Sequence, residues 1–180
     1  MSVFIREATQ DEALSVSELM NSAFVADAWF KKEEFHDRFD SEGKEIRDYI
    51  GGANKCILIA ISKDDNSVVG AVQLDWNKES KVGHWGALAV PSQHGGKGVG
   101  SKLVLACLER LKEYGMASVE ILVVSTNNAR LVEWYRRFGL SVRGDSFPFV
   151  VPHIVLEEHQ GKIMMVKMVS LFSQCCIVAE

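Results

Sequence analysis

Residues 90–101 read Val90-Pro91-Ser92-Gln93-His94-Gly95-Gly96-Lys97-Gly98-Val99-Gly100-Ser101, and this stretch decides the fold. An apolar run precedes it. After it, Val99, Leu103, Cys107 and Leu111, with Ala106 and Leu108 beside them, recur at helical spacing. Four glycines therefore stand between the end of a strand and the start of a helix. Without Cβ atoms the backbone N–H groups can crowd around a ligand, and the helix N-terminus adds a partial positive charge. Such a loop can cradle a pyrophosphate. Two nucleotide-binding patterns fail on it. A P-loop needs Ser or Thr after its Gly-Lys, and Lys97 is followed by Gly98. The dinucleotide fingerprint needs GxGxxG, whereas Gly96 to Gly100 is GxGxG, and Glu120 sits at the start of the next strand rather than its end. A tight turn that needs glycines for its backbone alone remains the alternative.

Upstream of the loop, His84 to Val90 reads as a strand, preceded by Val68 to Asp75 and the continuous apolar run Cys56 to Ile61. Asp64-Asp65-Asn66-Ser67 turns that pair into a hairpin. Val3 to Ala8 is a first strand. Thr9 and Glu12 have the spacing of a helix start, and Leu14, Val16, Leu19, Met20, Ala23 and Phe24 form the stripe behind them. A more polar helical stretch spans Lys31 to Ile50, interrupted near Gly43 and ended by Gly51-Gly52. Downstream, Gly115 stops the helix that opens at Val99, Val119 to Val124 is a buried strand, and Asn128 to Phe138 is a helix ended by Gly139. Phe147 to Val151 and Ile163 to Val169 close the chain as strands. The order β–α–α–β–β–β–α–β–α–β–β implies an α/β or α+β sheet with helices on its faces.

The 180 residues suit one domain, and that length buries roughly 70% of the surface an unfolded chain exposes. Twenty Lys and Arg against 24 Asp and Glu give −4, which argues against non-specific nucleic-acid binding. No apolar run reaches the ~18–20 residues of a membrane span, and Arg6 and Glu7 interrupt the apolar N-terminus, so it does not read as a signal peptide. Cys56, Cys107, Cys175 and Cys176 show no zinc spacing and read as reduced thiols in a cytoplasmic protein.

A second motif lies in Asn128-Ala129-Arg130-Leu131-Val132-Glu133-Trp134-Tyr135-Arg136-Arg137-Phe138-Gly139. With Leu88-Ala89-Val90 and the glycine loop, it resembles the GNAT superfamily of acetyl-CoA-dependent N-acetyltransferases. That family's loop is Gln/Arg-x-x-Gly-x-Gly/Ala; Gly98 and Gly100 match its small positions, and Gly95 departs from it where Gln or Arg is usual. Asn128, Tyr135 and Gly139 match its Asn, its Tyr seven residues on, and the glycine that ends the helix. The resemblance covers nearly the whole chain. It implies a single domain over residues 1–170 with a tail at 171–180, and a mixed, mostly antiparallel sheet of six to seven strands flanked by four helices.

The resemblance also implies roles. Acetyl-CoA would be held by the backbone of Leu88, Ala89 and Val90, by Gly95, Gly96, Lys97, Gly98, Val99, Gly100 and Ser101, and by Asn128 on the pantetheine arm. Tyr135 would donate a proton to the departing thiolate. An amine acceptor needs a base, and His84 occupies the place for one, because imidazole exchanges protons near neutral pH; Asp75, Glu120 and a water chain are alternatives. Asp27, Trp29, Phe30 and Glu33, with Glu34, offer acids and aromatics that suit a cationic amine. Phe147-Pro148-Phe149 and Pro152-His153 would form the opposite wall. The acceptor is a small-molecule or peptide amine, no metal is implied, and a second copy of the chain is an allowed partner. A catalytically silent acyl-CoA-binding sensor or interaction protein is the competing function.

If the loop holds pyrophosphate on backbone N–H groups, Gly98→Val and Gly100→Val weaken acetyl-CoA binding in isothermal titration by crowding that approach. Lys97→Ala acts less, and in a salt-dependent way, because an exposed cation is screened. Unchanged affinity in a folded Gly98→Val variant would remove the cofactor argument.

Overall fold

In strand β2 (Lys55–Ser62) every residue from Cys56 to Ser62 is buried, so side chains of both parities are hidden. Only a strand covered on both faces does this. The computed structural model, which describes residues 1–25, 38–126, 128–150 and 161–173, shows what covers it. β2 lies between β1 (Val3–Glu7) and β3 (Val68–Asn77) in a seven-stranded sheet. The sheet continues through β4 (Val82–Ala89), β5 (Ser118–Val124), β7 (Met164–Leu171) and β6 (Ser141–Pro148), in that spatial order. Every neighbouring pair is antiparallel except β4 and β5. The sheet is mixed and mostly antiparallel, as expected.

Four helices cover it: α1 (Ala13–Val25), α2 (Lys44–Ile50), α3 (Val99–Glu113) and α4 (Ala129–Arg136). Alternation along β2 divides the core. Ile57, Ile59 and Ile61 pack with Val16 and Met20 of α1 and Ile46 of α2. Leu58 and Ala60 pack on the other face with Leu103, Cys107 and Leu111 of α3 and Tyr135 of α4. Each buried Leu or Ile contributes about 1.5–3 kcal/mol relative to its exposed state, so this two-sided burial is the main stabilising term.

The entry to α1 is held by charge. The Arg6 guanidinium donates to both oxygens of Glu12, at 2.8 and 2.6 Å, and Glu12 also accepts from the N–H and hydroxyl of Thr9. These hydrogen bonds, Arg6's first, pull the Glu12 carboxyl down to about 2. A short 3-10 turn, Gln10–Glu12, then leads into α1.

Two sequence expectations are corrected. The polar helix expected from Lys31 starts only at Lys44; residues 31–37 lie outside the described residues, and 38–43 are bends and turns. The Asp40 carboxylate accepts from the backbone N–H of Glu42, Lys44 and Glu45, capping α2 from outside. The strand expected over Phe147 to Val151 instead begins at Ser141. It is an exposed sheet edge whose polar residues carry no alternation, and its pairing shifts between Arg143 and Phe147 beside Gly144 at φ +75°. Most of the expected tail, residues 174–180, lies outside the described residues.

Gly43 marks where α2 meets α1. It holds φ +70°, and a Cβ there would lie 2.7 Å from the Leu14 Cα and 2.9 Å from the Ala13 carbonyl carbon. Gly43→Ala is therefore expected to cost about 2–4 kcal/mol, from left-handed strain plus backbone collision. Gly115→Ala, also left-handed at φ +75° but facing open space, should cost only about 1–2 kcal/mol. Equal losses in denaturant titrations would remove the α1–α2 contact from this account.

Candidate functional site

β4 and β5 run side by side for three residue pairs, Val82↔Ser118, Gly83↔Val119 and His84↔Glu120. Beyond that level β5 continues along β7 to Val124↔Met165, while no pairing joins it to β4. A bulge accompanies the separation. Against β3, Ala89 faces Ala71 and Gly86 faces Gln73, so β4 spends three steps where β3 spends two. Ala87 takes up the extra residue at φ +48°. A bulge bends its strand and sharpens its twist, and here the bent strand borders the gap.

The gap is a cavity of about 560 Å³. Trp85 to Leu88 line one wall and Ile121 to Val124 the other. Leu131 and Tyr135 of α4, Phe24 of α1, Tyr49 of α2, Arg38 and Phe147 to Val150 complete it.

At the closed end, register sets Asp75, His84 and Glu120 at one level on three adjacent strands. All three line the cavity. The His84 Nδ1 lies 3.2 Å from the backbone oxygen of Glu120. A carbonyl only accepts, so Nδ1 carries a proton, which in a neutral ring leaves the lone pair on Nε2. The Tyr49 hydroxyl donates to Asp75 at 3.1 Å, and burial, reinforced by the Asp75 charge, raises the phenol well above its ordinary value. Lys167 pairs with Glu120 at 3.4 Å.

Tyr135 is buried, its ring against Trp85 and edge-on to Trp134, with centroids 6.3 and 4.8 Å away. Trp134 reaches the glycine loop: its ring lies 3.7 Å from where a Cβ on Gly100 would be. Asn128 precedes α4; its backbone oxygen accepts from Leu131, and its side chain makes no capping hydrogen bond.

The loop follows a 3-10 turn at Ser92–His94. Gly96 and Gly98 hold φ +68° and +79°, and a Cβ at either would meet nothing within 4 Å. Gly98 is the N-cap of α3, with no side-chain cap and no acid in the first turn. An uncapped helix start beside open, left-handed glycines fits a pyrophosphate. The Lys97 ammonium is drawn back onto the Gln93 carbonyl at 2.8 Å.

The structure thus gathers His84, Leu88 and Tyr135 in one cavity. Ala89 is buried at the end of β4, Val90 leads into the loop, and Gly95 to Ser101 lie outside the cavity lining. Phe147, Pro148 and Phe149 line the cavity. Asp27, Trp29, Phe30, Glu33, Glu34, Pro152 and His153 lie outside the described residues. Arg38, Tyr49 and Gln73 were missed. Tyr49 had a signal, since it belongs to the apolar set Ile46, Tyr49 and Ile50, whereas Arg38 sits in polar sequence with none.

Cys56 and Cys107 do not line the cavity. Burial, with the Glu7 charge second, pushes the Cys56 thiol up to about 12, and burial also raises the Cys107 thiol well above its ordinary value. Neither supplies a thiolate at neutral pH.

A model of the acetyltransferase (GNAT) family matches residues 18–140. None of the curated proteins compared with the chain matches it in sequence. Among solved structures, ribosomal-protein-alanine N-acetyltransferase from Brucella melitensis is similar at 16% identity and TM-score 0.72, covering 93% of this chain and 99% of its own. YncA from Salmonella typhimurium, solved with its cofactor acetyl-CoA, is 17% identical with TM-score 0.70, over 95% of this chain and 94% of its own. A chimera of the Vibrio cholerae spermidine N-acetyltransferase SpeG and hSSAT is 16% identical with TM-score 0.72, over 96% and 97%. Identities this low speak to the fold alone.

Proposed function

This chain belongs to the GNAT family of acetyltransferases, and on that premise we propose that it moves an acetyl group from acetyl-CoA to a primary amine by direct attack within a ternary complex. The observation that carries the proposal is the bulged β4 edge, unpaired with β5 beyond His84, which lines one cavity together with His84 and Tyr135. Spermidine and ribosomal-protein alanine, named for two structural neighbours, share only the amine.

The backbone N–H groups from Gly96 to Ser101 bind the pyrophosphate, with Gly95 shaping the loop ahead of them. Leu88, Ala89 and Val90 present backbone groups to the pantetheine arm, and Asn128 offers its amide. Bound acetyl-CoA supplies the thioester carbonyl. His84 Nε2 accepts a proton from the attacking amine, while Nδ1–H on the Glu120 carbonyl keeps the ring in that tautomer. The Tyr135 hydroxyl protonates the departing sulfur. Among the described residues, the buried thiols of Cys56 and Cys107 lie outside the cavity lining, which supports direct attack over an acyl-cysteine intermediate.

Tyr135→Phe keeps the ring and its contacts and deletes only the donor. Its kcat should fall by roughly 10²–10⁴-fold, with acetyl-CoA affinity and Tm little changed. A loss of about 1 kcal/mol in stability with kcat intact would instead make the hydroxyl structural.

The second test concerns the base. In wild type kcat/KM should rise with pH as an imidazole loses its proton, and His84→Gln should flatten that rise. A profile that survives the substitution passes the role to Asp75, Glu120 or water. Tight acetyl-CoA binding without thiol release for any amine would favour the silent sensor.

A further inference from the structure

One charged group in the cavity has no part in acetyl transfer. Arg38 lines the acceptor side with Phe24, Tyr49 and Gln73, its guanidinium 4.8 Å from the centre of the Phe39 ring. Among the described residues no carboxylate forms an ion pair with it. Glu45 is the acid whose field it feels, but that carboxylate accepts the Asp40 N–H at 3.3 Å. Burial is the dominant influence on the guanidinium and disfavours its charge. A guanidinium nevertheless stays protonated, and a partly desolvated cation gains from an anion brought to it. Its planar fork matches a carboxylate in geometry as well as charge.

The other charges in the cavity narrow the ligand. Asp75 and Glu120 flank His84, where the amine must arrive, and they favour an ammonium there before its proton is lost. They also disfavour a dianion such as a phosphate. Phe147, Phe149 and Met165 supply apolar wall between the charged groups.

We propose, building on the transferase reading above, that the acceptor is an amino carboxylate with an apolar body, its carboxylate held by Arg38 and its amine presented to His84. Arg38 is then a specificity residue. On this proposal the acceptor is a zwitterion rather than a simple cationic amine.

The test measures thiol release from acetyl-CoA with L-phenylalanine against phenethylamine, and L-leucine against isoamylamine. Wild type should favour each carboxylated member by about 10–100-fold in kcat/KM. Arg38→Gln should collapse that ratio toward unity, chiefly by raising KM for the amino acids, with acetyl-CoA affinity by calorimetry unchanged. A wild-type preference for the plain amines, or a carboxylate preference that survives Arg38→Gln, overturns the inference and leaves the transferase reading standing. Acetyl-CoA binding with no release from any amine overturns the transferase reading and the inference with it. Should Arg38→Gln not fold, product inhibition of wild type decides. N-acetyl-L-phenylalanine should inhibit at least about tenfold more strongly than N-acetylphenethylamine, and equal or reversed inhibition overturns the proposal.

Discussion

Ala87 holds φ +48° because β4 carries one more residue than β3 between Gly86 and Ala89, and the cavity depends on that excess. A regular β4 could continue alongside β5, and parallel hydrogen bonds would close the gap after His84. The bulge turns the strand instead, leaving a run of backbone that β5 does not pair. Unpaired backbone inside a protein is costly unless something else meets it. An extended ligand arm lying along β4 would satisfy it, so the same irregularity that weakens the sheet would create a binding edge. A left-handed alanine is strained, and the two-sided core around β2 and β3 supplies the stability against which that strain is held.

The glycine loop and Tyr135 are mechanically joined. α3 begins at the loop and α4 carries Tyr135, and Trp134 touches both, packing on Tyr135 and reaching to Gly100. Phe138 packs against the far side of Trp134, with centroids 4.9 Å apart. This aromatic column fixes the distance between the helix start, where an anion would sit, and the phenol that would meet the sulfur. A side chain expected only to fill the core thus has a positional task.

The end of the cavity around His84 is built on a different principle. Its polar groups are tied in pairs: Tyr49 to Asp75, His84 to the Glu120 backbone, Glu120 to Lys167. Arg38 stands apart from these pairs among the described residues. On the proposed reading, such a site would discriminate by what that cation selects.

What the sequence alone determined was local. Hydrophobic periodicity marked β2, β3, β5, α1, α3 and α4, and glycines after helical stripes marked their ends, because left-handed caps at Gly115 and Gly139 are a property of short segments. The loop at residues 95–101 and the Asn128–Tyr135–Gly139 spacing were legible for the same reason. The start of β6 was not, since an exposed edge strand needs no apolar face, nor was the shortness of α2, which Asp40 caps from outside the helix. Only the tertiary structure decided which side chains share the cavity. Strand register brings Asp75, His84 and Glu120 to one level across 45 residues of chain, and Ser17 and Asn21 of α1, hydrogen-bonded to the backbone of Asp40 and Phe39, hold Arg38 at the same cavity. Register and packing are set by contacts between distant segments, and no local pattern encodes them.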